Sequence, residues 1–311
     1  MPKVMTHIFV LTLLLVTAVL FGSCEDNPVR TKPSQTVPDC WSPLFQDTVG
    51  NPNAFPFEAQ SGPVWSRSGK LVAYFSYYDS CNVRDPGIYI ADSARGAFRR
   101  RISVFGAYYQ WLPGDSELIV NTGFGGSGQL VHYNLNTDSV TPLGIQTQFP
   151  VFDVSRDGRY IYYEAEPEAS HPHLSIFEYD RETGTAWAIA EGASPGVSPD
   201  RKYLAYVAGP LYLFRFSDST ITEIAARGGF LDWTPDGKNI VHSDRIGKLF
   251  ITDITGNSRE ILGVHSRDGA FGPISLSPDG ARILYEQVSS DFFLHIWETS
   301  LDGNNQEQFT Q

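Results

Sequence analysis

Three stretches of the sequence place residue types at spacings that chemistry uses. Gly192-Ala193-Ser194-Pro195-Gly196 fits G-x-S-x-G, in which a sharp strand-to-helix turn presents a nucleophilic serine. Pro195-Gly196-Val197 leads into a strand instead of a helix, so the stretch is expected to be a turn. Gly123-Phe124-Gly125-Gly126-Ser127-Gly128 fits G-x-G-x-x-G, which binds a pyrophosphate only where it opens a helix. The apolar run Gln129-Leu130-Val131-His132-Tyr133 follows it, and a loop between two strands is expected. In the third stretch Glu164, Glu166, Glu168, His171 and His173 bring carboxylates and imidazoles close enough to meet around a divalent metal. Nothing fixes a further ligand, so a solvated loop is expected, with Glu164, Glu166, His171 and His173 as the metal candidates.

The elements that must position these residues come from a repeat. Val64-Trp65-Ser66-Arg67-Ser68-Gly69-Lys70-Leu71-Val72 recurs as Val154-Ser155-Arg156-Asp157-Gly158, Val197-Ser198-Pro199-Asp200-Arg201, Trp233-Thr234-Pro235-Asp236-Gly237 and Leu276-Ser277-Pro278-Asp279-Gly280, each followed by an apolar run. Trp111-Leu112-Pro113-Gly114-Asp115 is a degenerate sixth copy. In each, a strand ends at Ser or Thr, Pro presets φ, Asp bonds the amides ahead, and Gly accepts a left-handed backbone, so a second strand runs back in a tight hairpin. Runs such as Gly87-Ile88-Tyr89-Ile90 and Leu211-Tyr212-Leu213-Phe214 supply third strands, and runs such as Ile221-Thr222-Glu223-Ile224 supply fourth ones. Four strands per unit, with hairpins 36 to 46 residues apart, predict propeller blades: an all-β, six-bladed β-propeller of four-stranded antiparallel blades. Each blade begins on its innermost strand and the chain ends on an outer one, so the ring is expected to close without strand exchange.

The hairpin signature resembles that of the TolB-like six-bladed β-propeller family, with its WD-repeat-like Ser-Pro-Asp-Gly turns, over roughly residues 61 to 310. The resemblance raises the question of an enzyme, because some polysaccharide lyases are built on such propellers and use a central metal with His and other polar ligands. Here His132, His242, His265 and His295 fall in different blades and at different strand positions. Asp153 and Asp232 share the slot two residues before the hairpin anchor, where the other blades carry Val64, Gln110, Gly196 and Ser275; individually hydrogen-bonded polar groups are expected there. TolB itself has an α/β domain ahead of its propeller, and this chain has only a short tether in that place.

Lys3 is followed by an apolar run from Ile8 to Phe21 that ends in Leu20-Phe21-Gly22-Ser23-Cys24, and this reads as a signal peptide over 1–23 with a lipobox-like junction. Cys24 is the expected lipidation site. Residues 24–60 hold six prolines and form a Pro-rich tether, and the propeller occupies 61–311. Export places Cys40 and Cys81 in an oxidising compartment, where a disulfide between them is expected. The net charge of -12 argues against nucleic acid.

Hairpin turns are uniform, whereas the second-to-third-strand and blade-to-blade connections vary, so variation gathers on one rim. Tyr77, Tyr78, Tyr108, Tyr109, Phe124 and Phe149 lie there in the first half of the chain. His171, His173, Arg227, Phe230, Arg245, Phe271, Phe292 and Phe293 follow in the second. Aromatic beside polar groups suit a protein, peptide or glycan partner. The sequence therefore points to a membrane-anchored envelope lipoprotein acting as a non-catalytic binding or scaffold module without a cofactor, located in the periplasm or facing outward. A propeller-type polysaccharide lyase or glycan hydrolase using a divalent metal is the alternative.

Overall fold

The structure is a computed structural model. It describes residues 60–76, 86–94, 98–106, 108–123, 127–166, 174–244, 247–263, 272–288 and 294–310. All of them lie in one compact unit, Val49–Gln311. They form 24 strands and, among the described residues, no helix. Blade 1 contains β1 (Gln60–Trp65), β2 (Leu71–Ser76), β3 (Gly87–Asp92) and β4 (Phe98–Arg101); blade 2 contains β5 (Tyr108–Trp111), β6 (Glu117–Asn121), β7 (Gly128–Asn134) and β8 (Ser139–Thr147). Blade 3 contains β9 (Phe152–Val154), β10 (Tyr160–Ala165), β11 (Ser175–Asp180) and β12 (Thr185–Glu191); blade 4 contains β13 (Ala193–Val197), β14 (Tyr203–Val207), β15 (Leu211–Arg215) and β16 (Thr220–Ala225). Blade 5 contains β17 (Leu231–Trp233), β18 (Asn239–Ser243), β19 (Lys248–Asp253) and β20 (Ser258–Gly263); blade 6 contains β21 (Ser275–Leu276), β22 (Arg282–Val288), β23 (Leu294–Ser300) and β24 (Glu307–Gln308). Each blade is a separate antiparallel sheet in sequence order, so the six-bladed propeller expected from the hairpins is the fold, and no described strand crosses from one blade into another.

Alternation along the second strands explains how six sheets share their cores. In β2, Val72 and Tyr74 face blade 6, where they meet Leu284, Ile296 and Phe309, while Ala73 and Phe75 face blade 2 and meet Trp111, Leu118 and Val120. A strand buried on both faces favours apolar residues throughout, and β2 and β14 are nearly so. Six buried clusters result, one at each junction between neighbouring blades, including the junction of the last blade with the first. The outer strands carry little of this burden: Thr185 to Ala188 of β12 are exposed.

The hairpins form as their residue types dictate. Ser155 Oγ accepts from Tyr160 N at 2.8 Å and donates to Asp157 Oδ1 at 2.6 Å, and Gly158 closes the turn at φ 77°. Ser198, Thr234 and Ser277 repeat the arrangement with Asp200, Asp236 and Asp279. Gly192–Gly196 departs from the expected turn: Ala193 pairs with Val207 and Gly196 with Ala205 across a bulge, so the last four residues of the G-x-S-x-G match lie in strand β13, with Ser194 at φ 51°. A strand in that place gives no nucleophile elbow.

Candidate functional site

The inner strands surround a central channel with a cavity of about 160 Å³. Its walls come from all six blades. At the open rim lie Gly62, Tyr108, Val151, Ser194, Phe230 and Pro273, and at the hairpin end Arg67, Arg156, Pro199, Pro235 and Pro278. Asp153 and Asp232 are the carboxylates of the lining.

Neighbouring blades are joined at the channel wall by a recurring bond. The slot two residues before a hairpin anchor bonds the residue just before the anchor of the next blade. Asp153 Oδ2 accepts from Val197 N at 2.8 Å, Asp232 Oδ2 from Leu276 N at 2.7 Å, and Ser275 Oγ from Trp65 N at 3.1 Å. Val64 and Gly196 have no polar side chain, and there the next blade supplies a tryptophan. The Trp111 indole N–H donates to the Val64 carbonyl at 3.1 Å and that of Trp233 to the Gly196 carbonyl at 2.8 Å. At the remaining junction, blade 2 to blade 3, the bridge is Arg67 of blade 1, which donates from Nε to Trp111 O at 3.2 Å and from Nη2 to Val154 O at 2.8 Å.

A second tier stands at the rim end of the second strands. Glu164 Oε1 accepts from Ser194 N at 2.5 Å, and Glu286 Oε1 from Gly62 N at 2.6 Å. Both are almost fully buried, at 1% and 4% exposure. Asn121 holds the equivalent place in blade 2 and donates to Pro150 O at 3.2 Å. Desolvation pushes Glu164 and Glu286 up to about 8. It pushes Asp232 up to about 7, opposed by the Leu276 amide and assisted by the charge of Asp153, and it raises Asp153 against the pull of Arg67. Each aspartate has both oxygens on backbone amides, since Val154 N and Trp233 N bond the Oδ1 atoms at 2.7 and 2.8 Å.

These bonds decide what the channel can do. A general acid, a base or a metal ligand needs an oxygen facing the substrate or ion, and the oxygens of Asp153 and Asp232 face the neighbouring backbone. Among the described residues no group of three His, Cys, Asp or Glu could hold a metal, and no histidine lines the channel. His132 meets Glu117 at 3.3 Å, His242 is buried against Thr252 at 2.9 Å, and His295 is buried in β23. A resident divalent metal therefore does not fit the described lining. Glu164 lies in β10 and Glu166 is exposed beyond it; His171, His173 and His265 fall outside the described residues.

Of the rim aromatics and charges, Tyr108 and Phe230 line the channel mouth, Phe149 is half-buried and Arg227 is exposed. Tyr109 is buried, and its hydroxyl donates to Gly62 O at 2.6 Å, so it joins blade 2 to blade 1. Tyr77, Tyr78, Phe124, Arg245, Phe271, Phe292 and Phe293 lie outside the described residues, as do Cys24, Cys40 and Cys81. Sequence reasoning missed Arg67, Ser275 and Glu286. The signal for Arg67 was its place in the turn, where four of the six hairpins carry proline.

No family profile and no curated protein sequence matches the chain. Among solved structures it is similar to TolB from Acinetobacter baumannii, at 19% identity and TM-score 0.45 over 81% of this chain, and it spans 56% of that chain. An oligogalacturonate lyase in complex with manganese aligns with 15% identity and TM-score 0.51 over 82% of this chain and 78% of its own. The β-propeller domain of the Trilobed protease from Pyrococcus furiosus, which has an open velcro topology, aligns with 13% identity and TM-score 0.53 over 82% and 99%. The two likenesses with TM-scores above 0.5 show the β-propeller fold and nothing beyond it.

Proposed function

We propose that the chain is an exported binding or scaffold module of the cell envelope, anchored through lipidated Cys24, with residues 24–60 as tether and 61–311 as the propeller that meets a protein, peptide or glycan partner. One observation carries this reading: the channel carboxylates, Asp153 and Asp232, are committed through both oxygens to backbone amides of their own and the next blade. What remains for a partner is the rim, where Tyr108 and Phe230 flank the mouth and Arg227 is exposed. Aromatic rings with a polar edge are the side chains that anchor such contacts.

The test is capture of partners from crosslinked cell envelopes, with metal analysis of the purified protein. One stoichiometric partner whose recovery falls in Tyr108→Ala and Phe230→Ala supports the module. A tightly held divalent metal together with shortening of a polymer substrate supports a glycan-cleaving enzyme instead.

A further inference from the structure

The six hairpins sort into two kinds by what they present to the next blade. At four junctions a proline packs against the glycine of the following turn. A Cβ on Gly158, Gly280, Gly69 or Gly237 would stand 2.9, 3.1, 3.3 or 3.7 Å from Cδ of Pro113, Pro235, Pro278 or Pro199. At the other two the proline is replaced by Arg67 or Arg156, and the following turn carries Asp115 or Arg201 in place of the glycine, at φ 55° and 53°. Both members of the packing pair have changed together, and in both cases the new residue is an arginine lining the channel.

Both arginines line the hairpin end of the channel. Arg67 leaves blade 1, passes under blade 2 and bonds the Val154 carbonyl, two residues before Arg156 in the same chain segment. Its bonds to Trp111 O and Val154 O fix the guanidinium plane and use Nε and Nη2. Among the described residues Nη1 has no partner, and Arg156 is exposed with no hydrogen bond or ion pair. Carboxylates that could neutralise them are held elsewhere. Asp157 accepts from Ser155 Oγ and Arg159 N, Asp115 from Ser68 N, and neither lines the channel. Asp153 and Asp232, further along the wall, feel the Arg67 charge but direct their oxygens to backbone amides. Two like charges thus converge on one mouth, one of them preorganised, where the alternative residue was an uncharged proline. An anion relieves that repulsion, and guanidinium donors match the oxygens of carboxylate or phosphate.

We propose that Arg67 and Arg156 form an oxyanion site at the hairpin mouth of the channel, which takes a carboxylate or phosphate group entering from the face opposite the aromatic rim. The site is independent of the partner proposed for the rim, and loss of either leaves the other standing.

Calorimetric titration of the purified protein with inorganic phosphate, and separately with acetate, at constant ionic strength tests it. Saturable binding of at least one anion is expected, weakened about tenfold or more in Arg156→Gln, as for loss of one charge-assisted bond. Preference for phosphate or for acetate assigns the ligand group. Arg156 is exposed, so its variant should melt as the wild type does. Arg67→Gln should lose both binding and some melting temperature, because it also bridges blades 2 and 3. Absence of saturable binding by either anion overturns the proposal. So does binding that Arg156→Gln weakens no more than Arg259→Gln, a surface control bonded to Leu301 O.

Discussion

Glu286 Oε1 in the last blade accepts a hydrogen bond from Gly62 N in the first, at 2.6 Å, across the seam where the chain closes its ring. No strand crosses that seam among the described residues, so its integrity rests on side-chain contacts, among them this bond, the Ser275 to Trp65 bond beside it, and the cluster in which Phe309 meets Trp65 edge-on at 6.4 Å. Glu286→Ala leaves the Gly62 amide buried without an acceptor and should cost about 1–3 kcal/mol. Denaturant unfolding measures it, and an unchanged midpoint would show that the seam does not need the bond.

The same carboxyls make stability depend on pH. Glu164 and Glu286 are pushed up to about 8 and Asp232 to about 7, above their unfolded values, so the folded chain holds these protons more tightly. Their contribution is complete below about pH 4 and is lost as pH rises through 7 to 8. Asp157, Asp200, Asp236 and Asp279 are held below the ordinary aspartate value, Asp236 and Asp279 chiefly by the turn hydroxyls and Asp157 and Asp200 by turn bonds that outweigh desolvation. They oppose acid, since their contribution is lost as pH falls below about 4. The melting temperature should therefore peak near pH 5 and decline toward pH 8, and Glu286→Gln should flatten the alkaline limb. A maximum at pH 8 would contradict the account.

Turn packing separates two costs of replacing a glycine. Gly158 (φ 77°) faces Pro113 Cδ at 2.9 Å, whereas Gly144 (φ 73°) has nothing within 4 Å of an added Cβ. Both alanine variants carry the backbone strain of a positive φ, about 1 kcal/mol or more. Gly158→Ala should lose about 1–3 kcal/mol beyond that through overpacking. Equal losses in the two would mean that the proline ring yields.

The tether makes two claims on its cysteines. Cys24→Ala should move the protein from the membrane to the soluble fraction, and unchanged retention would remove the lipid anchor from the account. A non-reduced digest should contain a Cys40–Cys81 peptide pair. That bridge closes a loop of about 40 residues and is worth roughly 4 kcal/mol on chain entropy, so reduction should lower the melting temperature.

The architecture was legible because its signals are local: Ser155, Asp157 and Gly158 fold their turn with neighbours within five residues. The junctions between blades were not. Asp153 meets Val197 and Asp232 meets Leu276, each 44 residues away, and Glu286 meets Gly62 at a separation of 224. The slot residue also changes type from blade to blade, since a carboxylate, a serine hydroxyl or a backbone carbonyl facing an indole closes the same gap. Glu164 read as part of a polar loop because the acidic residues after it continue the run, while its own side chain is buried with the middle of β10.

Whether this propeller binds or cleaves is tested most directly by incubating it with a panel of acidic and neutral polysaccharides and following chain length, beside Asp153→Asn and Asp232→Asn variants. The account predicts no shortening by the wild-type protein and a lower melting temperature in both variants, because each aspartate joins two blades. Shortening by the wild type that either variant abolishes while melting as the wild type does would contradict it, and would make these carboxylates catalytic residues.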